Sequence, residues 1–337
     1  MNDAFVMVGD VRVPGRVFTA PMTGISDLPF RRVASRLGAA YVATEMVACE
    51  MFARGRPDVV RRACVGEGLP LMVVQLVGRE AEWIATGAAM AEAAGADIID
   101  LNMGCPAKEV TGGLSGSALM RDLDLAERLI AAAVGATKRP VTLKMRLGWD
   151  DASRNAPELA RRAEQCGVKA ITVHGRTRQQ FYKGRADWHA VAEVKAATRL
   201  PVIVNGDVTD HESARLALSY SGADAVMIGR GACGRPWIAS AIAQALDSHA
   251  PVAEPGLRER LDIVLEHFRE TLSFYGDALG LRVFRKHLGW YVEQASWPAS
   301  AEMRRAAKSA LCRLTEARDV ETALTGMWQR QNYPLAA

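Results

Sequence analysis

Eight short apolar segments, rich in β-forming residues, alternate with longer segments that have helical periodicity. The apolar segments are residues 17–20, 40–44, 71–77, 97–101, 141–145, 170–173, 202–204 and 225–228. The helical segments are residues 29–37, 80–94, 122–134, 157–166, 188–197 and 211–220. Strands joined by helical crossovers run parallel, and eight is the number of strands that closes a (β/α)8 barrel. The pattern therefore predicts an α/β fold of the TIM-barrel type.

An open, doubly wound parallel sheet is the alternative fold for this alternation. A dinucleotide-binding sheet of that kind normally has Gly-x-Gly-x-x-Gly directly after its first strand. This chain has Ala20-Pro-Met-Thr-Gly24 at that position instead. The barrel is therefore the preferred prediction.

The alternation of predicted strands and helices stops after Pro236. This suggests a barrel domain over residues 1–245 and a helical domain over residues 256–330. Residues 251–256 have the composition of a linker, and residues 257–275, 277–294 and 301–317 are amphipathic at helical spacing. The helical domain is rich in basic and tryptophan side chains: Arg258, Arg260, Arg269, Arg282, Arg285, Lys286, Arg304, Arg305, Lys308, Trp290 and Trp297. Two interpretations remain open, a solvated cap on the barrel or a surface for nucleic-acid phosphates.

Composition excludes several classes of protein. No apolar run has membrane-spanning length, and the N-terminal residues lack the pattern of an export signal. Six cysteines are scattered without paired spacing, which argues against a disulfide framework or a zinc site and suits a reducing cytoplasm. The net charge is +4 and the pI is near 8.8, a mildly basic balance that permits an anionic partner.

Polar and ionisable residues follow almost every predicted strand. In a TIM barrel the reacting groups lie where strands enter the following loops, because these loops meet at one mouth. The residues at these positions are Pro21, Met22, Glu45, Gln75, Asn102, Cys105, Lys144, Arg146, His174, Arg176, Asn205, Gly206, Asp207, Gly229 and Arg230. Packing alone does not explain such a set after apolar strands, so we expect a site that fills the mouth.

Individual members of this set allow more than one role. Cys105 lies between Gly104 and Pro106, so its thiol is either a packed apolar group or a group that the turn positions for chemistry. Lys144 suits a Schiff-base lysine, a cation beside the pyrimidine end of a flavin, or an ion pair with Glu45 or Asp100.

The glycine-containing exits of strands seven and eight, residues 205–207 and 229–231, are typical of a phosphate site or of ordinary turns. The loop over residues 174–188 interleaves four cations with two aromatic residues, which suits a grip on unpaired nucleotides or a mobile solvated loop. The histidines have no metal-ligand spacing, and we expect no metal site. A Gly-x-Ser-x-Gly elbow and a P-loop are also missing from the sequence.

Several of these segments together resemble the tRNA-dihydrouridine synthases, most closely the bacterial subfamily B. The similar segments are Ala20-Pro-Met-Thr-Gly-Ile-Ser-Asp-Leu-Pro-Phe-Arg31, Leu101-Asn-Met-Gly-Cys-Pro-Ala-Lys108, residues 174–188, residues 205–207, residues 228–231 and Gly234-Arg-Pro-Trp237. The resemblance covers roughly residues 14–240. It departs at Glu109, where relatives often have a second basic residue.

The resemblance implies an FMN-binding TIM barrel with a C-terminal helical domain that binds tRNA. The implied cofactor-binding residues are Pro21, Met22 and Thr23 along the isoalloxazine, Gln75 at its edge, Lys144 near N1 and O2, His174 beside the ring, and Asn205, Gly206, Asp207, Gly229 and Arg230 at the phosphate. The implied substrate-binding or tRNA-binding residues are Asn102, Lys108, Arg146, Arg176, Arg178 and Tyr182.

The resemblance also implies the reaction, which is reduction of uridines in the tRNA D-loop to 5,6-dihydrouridine. NADPH would reduce FMN, and a uridine flipped out of the tRNA would then accept hydride at C6. Cys105 would give a proton to C5 from the other side, as a general acid. We expect a cytoplasmic enzyme for which nothing in the sequence requires more than a monomer.

Three other functions are compatible with parts of this sequence. A flavin enzyme that acts on a free pyrimidine, of the dihydroorotate dehydrogenase type, would not need the arginine-rich loop or the basic helices. A Schiff-base lyase would use Lys144 and no flavin. A non-catalytic RNA-binding protein would bind tRNA without a flavin. The sequence does not indicate which uridine is reduced.

Overall fold

The computed structural model describes residues 4–64, 66, 68–250, 252–295 and 300–329. The strands are β1 (Phe5–Val8), β2 (Val11–Pro14), β3 (Val17–Thr19), β4 (Val47–Ala48), β5 (Val73–Val77), β6 (Ile98–Met103), β7 (Val141–Arg146), β8 (Ala170–His174), β9 (Val202–Asn205) and β10 (Ala225–Ile228). The helices of the barrel are α1 (Leu28–Arg36), α2 (Cys49–Ala53), α3 (Pro57–Arg62), α4 (Ala81–Ala93), α5 (Lys108–Thr111), α6 (Leu123–Ala136), α7 (Ala156–Gln165), α8 (Trp188–Ala197), α9 (His211–Ser221) and α10 (Ile238–Ser248).

Strands β3 to β10 form one parallel eight-stranded sheet in the order β3-β10-β9-β8-β7-β6-β5-β4. The sheet curls, and residues 42 and 43 connect its two sides through single parallel bridges, Thr19 to Val42 and Ala43 to Val73. Helices surround the sheet, so the predicted barrel class is confirmed.

The second predicted strand, residues 40–44, is wrong in its bounds. Only Val42 and Ala43 bridge the neighbouring strands, and the regular pairing with β5 begins later, at Val47. The reason is a side chain: the Thr44 hydroxyl accepts the hydrogen bond of the Gln75 backbone N–H at 3.0 Å. This takes the place of a backbone ladder bond, and the chain departs from the sheet before β4.

Side chains alternate along each strand between the outside of the sheet and the inside of the barrel. This gives one apolar layer under the helices and a second in the lower interior of the barrel. On β6, Ile99, Leu101 and Met103 face the surrounding helices, whereas Asp100 and Asn102 face the inside. The lower interior is apolar and is closed by the β1–β2 hairpin, whose Val6, Val8 and Val13 side chains are buried there. The polar positions are therefore confined to the upper interior, near the strand exits.

The C-terminal region contains α11 (Leu257–Tyr275), α12 (Asp277–Gln294), α13 (Ala301–Arg313) and α14 (Ala317–Gln329). The predicted helix over residues 301–317 is confirmed from residue 301 to residue 313, and only its C-terminal bound is wrong. Leu314 has extended backbone and ends α13. The chain then starts a new helix, which buries Val320 and Leu324 in the same core as Leu311. Trp297 and residue 330, the predicted end of this region, lie outside the described residues.

The helical region shares a hydrophobic core with the barrel. Val33 of α1 and Trp237 pack in the same cluster as Phe268 of α11 and Phe284 of α12. An ion pair between Arg32 and Glu270 also joins α1 to α11, with N and O atoms 3.2 Å apart. Within the described ranges, no helix is both long and apolar enough to cross a membrane.

Candidate active site

The polar side chains inside the upper barrel lie in adjacent register positions on neighbouring strands. Gln75 is paired with Asp100, and Asn102 with Lys144. The next level of the ladder follows from the pairing of β7, β8 and β9, which places Arg146, His174 and Asn205 next to one another. Residues predicted from separate strand exits therefore meet in one place.

A chain of side-chain hydrogen bonds leads from the barrel interior to the loop that carries Cys105. The Gln75 amide nitrogen donates to Asp100 Oδ2 at 2.6 Å, and the Asn102 amide nitrogen donates to Gln75 Oε1 at 2.8 Å. Asn102 Oδ1 then accepts from the backbone nitrogens of Gly104 at 3.1 Å and Cys105 at 2.9 Å. Each amide thus has one allowed orientation, and the thiol is tied to β6.

Two further contacts hold the Cys105 loop. Arg146 is 1% exposed, and its Nε donates to the Gly104 carbonyl at 2.8 Å. The Ser117 hydroxyl donates to the Cys105 carbonyl at 2.8 Å. The backbone on both sides of the thiol is therefore fixed by buried groups.

The surroundings of Cys105 favour the protonated thiol. Burial raises the pKa of Cys105 above its ordinary value of 9.0, although Arg146 and Lys144 act to lower it. A thiol with a raised pKa keeps its proton at neutral pH and is a poor nucleophile. Such a group is chemically suited to give a proton to a substrate.

Lys144 lies at the centre of the mouth. Its ammonium donates to Asn205 Oδ1 at 3.0 Å, and the Asn205 amide donates to the Met227 carbonyl at 2.8 Å. Burial lowers the pKa of Lys144 and raises that of Asp100, its nearest buried carboxyl group. The hydrogen bond of the ammonium goes to a neutral amide, so the positive charge is available to an anionic group in the mouth.

His174 is neutral at physiological pH. Burial is the main cause of its strongly lowered pKa, and the positive charges of Arg146, Lys144 and Arg176 lower it further. Its Nε2 lies 3.3 Å from Nη1 of Arg176, and a guanidinium can only donate. Nε2 is therefore the acceptor, and the ring proton is on Nδ1.

Arg146 and Arg176, which were expected to contact RNA, have their guanidinium groups on the protein. Arg146 donates to the carbonyls of Thr177 and Phe181, at 2.8 and 2.9 Å. Arg176 is 2% exposed and donates to Asp207 Oδ2 at 2.7 Å, as well as to carbonyls of the 174–188 loop. In this geometry both arginines hold the loop over residues 174–188 against the barrel.

The outer rim of the mouth carries the exposed aromatic and basic groups. Tyr182 is 45% exposed, and its ring lies 4.7 Å from the Arg230 guanidinium and 5.6 Å from that of Arg146. Arg178 stacks on Trp149 at 4.7 Å, and Lys108 is exposed at the start of α5. This rim is both cationic and aromatic, which suits contact with nucleotides.

The exits of β9 and β10 differ in the space they leave. Gly206 has a φ of +117°, and a Cβ there would lie 2.7 Å from the Cβ of Ala186. At Gly229 the nearest atom to an added Cβ is 4.0 Å away, so a ligand can approach its backbone. Arg230 follows with a side chain that is 62% exposed. The open position therefore lies beside an exposed cation, whose Nη2 is 4.0 Å from Asp207 Oδ1.

Pro21, Met22 and Thr23 form the loop at the exit of β3. Pro21 and Met22 are half-buried, and Thr23 is exposed. The Glu45 carboxylate, at the second predicted exit, accepts from the backbone nitrogen of Gly24 at 2.5 Å and so anchors this loop.

Three residues of the site were not identified as functional from the sequence. Asp100 and Thr142 form the buried base of the hydrogen-bond chain, with the Thr142 hydroxyl donating to Asp100 Oδ1 at 2.7 Å. Asp100 precedes Asn102 by two residues, so strand alternation could have indicated it. The sequence around Ser117 has no comparable pattern that indicates its role.

In the described ranges no cluster of His, Cys, Asp and Glu side chains could hold a metal ion.

Solved structures share the fold at low sequence identity. Histamine dehydrogenase from Rhizobium sp. 4-9 matches with a TM-score of 0.57 and 13% identity, over 98% of this chain and 64% of that one. A variant of NCR from Zymomonas mobilis matches with a TM-score of 0.52 and 17% identity, over 77% of this chain and 94% of that one.

Sequence relatives are much closer. A probable tRNA-dihydrouridine synthase from Rhodobacter capsulatus is 55% identical over 303 residues, which cover 89% of this chain and 93% of the relative. A tRNA-dihydrouridine synthase B from Xanthomonas campestris is 42% identical over 321 residues, with 95% and 94% covered. The family model described as dihydrouridine synthase (Dus) matches residues 18–325. The chain therefore belongs to the dihydrouridine synthase family.

Proposed function

We propose that this protein is a tRNA-dihydrouridine synthase, which reduces the C5–C6 double bond of uridines in the tRNA D-loop. Relatives that bear this name cover about nine-tenths of the chain. The observation that carries the proposal is the Cys105 loop, in which Asn102 and Arg146 hold a protonated thiol at the barrel mouth. We propose FMN as the bound cofactor, NADPH as the electron donor, and a monomer in the cytoplasm as the working form.

The residues at the mouth suit FMN. The Lys144 ammonium suits the pyrimidine end of the flavin, where negative charge accumulates on reduction, and neutral His174 offers an Nδ1–H donor. The open backbone at Gly229 and the exposed Arg230 suit the phosphate. Pro21 and Met22 provide an apolar edge for the ring system. Gln75 is fully buried and bonded at both ends of its amide, which supports a role in orienting Asn102.

Reduced FMN, when bound, supplies the hydride that goes to uracil C6. The protein supplies the proton that goes to C5, and Cys105 is the donor in this proposal. Its raised pKa keeps the Sγ–H bond intact until the uracil is in place, as a general acid requires. Asn102 fixes the position of the thiol through the Cys105 backbone, and its location suits contact with the uracil edge.

The positive charges in and around the mouth support an RNA substrate. Lys144 and Arg146 make the interior cationic, and Lys108, Arg178, Tyr182 and Arg230 extend this character to the rim. A uridine in a folded tRNA must leave its stack to enter such a site, and aromatic and guanidinium groups can hold the bases next to it.

The substrate class can be tested with purified protein loaded with FMN. It is incubated with NADPH and either unmodified tRNA, free uridine or orotate, and the products are analysed by mass spectrometry. We expect a gain of two hydrogen atoms in tRNA uridines only. Reduction of a free pyrimidine in preference to tRNA would contradict the proposal, as would a protein that cannot bind a flavin.

A further inference from the structure

Asp100 is a buried carboxyl group to which the proposed reaction assigns no role. The residue is 2% exposed and faces the barrel interior from the centre of β6. Burying a carboxyl group is costly unless its surroundings supply hydrogen bonds or opposite charge. Here Thr142 and Gln75 supply hydrogen bonds, and Lys144 supplies positive charge. A carboxyl group with this much support indicates a specific function for the charge.

Both oxygens of Asp100 are hydrogen-bond acceptors. Oδ1 accepts from the Thr142 hydroxyl at 2.7 Å, and Oδ2 accepts from the Gln75 amide nitrogen at 2.6 Å. An ionised carboxylate can only accept, whereas a protonated one must also donate. Burial raises the pKa of Asp100 to about 6, which leaves the group mostly ionised at neutral pH. The lower end of the hydrogen-bond chain is therefore an obligatory acceptor.

The upper end of the chain consists of obligatory donors. The backbone nitrogens of Gly104 and Cys105 can only donate, and Asn102 Oδ1 accepts from both. Between the two ends lie the amides of Gln75 and Asn102, each with one donating and one accepting end. An acceptor below and donors above allow only one orientation of both amides.

We propose that Asp100 is a positioning residue for proton transfer by Cys105, because its charge sets the direction of every hydrogen bond in the chain. This inference rests on the proposed function, in which Cys105 protonates the substrate. Asp100 acts on the thiol only through Gln75 and Asn102. A donor in place of the carboxylate would turn both amides around, and the Asn102 amide nitrogen would then face the backbone nitrogen of Cys105. The loop would lose the contact that ties it to β6.

The test uses variants that change the direction of the hydrogen bonds and preserve side-chain size. In Asp100→Asn one end of the new amide is a donor, so that either the Thr142 hydroxyl or the Gln75 amide loses its acceptor. In Gln75→Glu the new carboxylate faces that of Asp100 across the present 2.6 Å hydrogen bond. The double variant Gln75→Glu/Asp100→Asn moves the charge by one residue along the chain. Every donor then has an acceptor again, and the upper amide keeps its orientation.

Three properties are measured for each FMN-loaded protein. They are hydrogen exchange at the Gly104 and Cys105 amides, stability in urea, and kcat and KM for dihydrouridine formation in tRNA. Asp97→Asn is the matched control, because it makes the same chemical change just before β6 and outside the chain. Asp97 Oδ2 accepts from the Met72 backbone nitrogen at 2.9 Å.

We expect each single variant to exchange the two amide hydrogens at least about tenfold faster and to lose about ten- to hundredfold in kcat, with a smaller change in KM. The double variant should recover about tenfold or more in both properties relative to the more damaged single variant. Asp97→Asn should keep wild-type exchange at these amides and wild-type kcat, even where its stability falls.

A double variant that is no better than the single variants would overturn the inference, and so would wild-type exchange and kcat in Asp100→Asn. Where a single variant does not fold, the double variant must fold and form dihydrouridine for the inference to stand. A wild-type protein that does not reduce tRNA would reject the proposed function instead. In that case amide exchange still shows whether Asp100 holds the Cys105 loop.

Discussion

The side-chain oxygen of Asn102 lies 2.9 Å from the backbone nitrogen of Cys105 and accepts its hydrogen bond. Because Asn102 belongs to β6, the position of the thiol is set by the sheet and not by the loop alone. Gln75 and Asp100 fix the orientation of the Asn102 amide from below. The reactive group is therefore held by a central strand of the sheet and its hydrogen-bond partners.

Asn102→Asp should damage the site through one repelling contact. The new carboxylate can still accept from Gly104 and Cys105, but its second oxygen would face Gln75 Oε1, which now accepts at 2.8 Å. We expect a loss of about 1–3 kcal/mol in the free energy of unfolding, measured in urea, together with reduced turnover. A neutral effect on both would show that the hydrogen-bond chain does not position the loop.

The rate of tRNA reduction should depend on pH through the Cys105 thiol. A general acid acts in its protonated form, and burial holds the pKa of this thiol above 9.0. The single-turnover rate should therefore be flat through neutral pH and fall only above about pH 9. Cys105→Ser should remove the alkaline fall from any remaining rate. A fall near pH 8 that is also present in Cys105→Ser belongs to Lys144, whose pKa burial lowers to about 8. An alkaline fall above about pH 9 that is also present in Cys105→Ser would assign the proton to a group other than Cys105.

Asp207→Asn should loosen the loop over residues 174–188. Asp207 Oδ2 accepts from Arg176 and from the backbone nitrogen of Ala186, both at 2.7 Å. Weakening this contact should make local opening about 1–3 kcal/mol easier and raise trypsin cleavage at Lys183 and Arg185, with weaker tRNA binding. Asp151→Asn, at an exposed ion pair with Arg154, is the matched control and should leave cleavage unchanged. Equal cleavage in the two variants would show that Asp207 does not hold the loop over residues 174–188.

The buried pair His267 and His287 should make the protein less stable in acid. The rings lie 4.6 Å apart, and burial lowers the pKa of His267 from 6.5 to about 3 and that of His287 well below its ordinary value. The unfolded chain then binds more protons below pH 6.5, so each histidine should cost up to about 1.4 kcal/mol per pH unit. Above pH 6.5 this loss is absent.

His287→Phe isolates this effect, because it removes one of the two titrating groups. Between pH 6.5 and about pH 5 the variant should lose about 2 kcal/mol less stability than the wild type, measured by urea unfolding. Asp27, whose pKa burial raises to about 6, acts in the opposite direction in both proteins and cancels in the comparison. Parallel losses in the two proteins would mean that His287 is protonated in the folded state.

The barrel could be predicted from sequence because its strands are apolar, short and separated by helices. The convergence of Asn102, Lys144 and His174 also followed, since parallel strands bring their exits to one mouth. The bounds of the second strand could not be predicted, because the Thr44 hydroxyl replaces a backbone acceptor and only the fold shows where that hydroxyl points. The family resemblance was carried by the same strand exits, and the family match confirms it.

The inward direction of Arg176 is a second feature that its sequence position does not reveal. Lys183 and Arg185 of the same loop are exposed cations, and the position of Asp207 at the next strand exit explains the burial of Arg176. A pattern of charges predicts a basic loop, but it does not separate the arginine that folds the loop from those that face solvent.

The role of Cys105 is tested most directly by an anaerobic single-turnover experiment with Cys105→Ala. Wild-type and variant proteins, both loaded with FMN, are reduced with NADPH and mixed with unmodified tRNA while the flavin absorbance is recorded. We predict that both proteins bind and reduce the flavin, that the wild type is reoxidised by tRNA with formation of dihydrouridine, and that the variant is not. Dihydrouridine formation by Cys105→Ala at the wild-type rate would contradict the assignment of Cys105 as the proton donor.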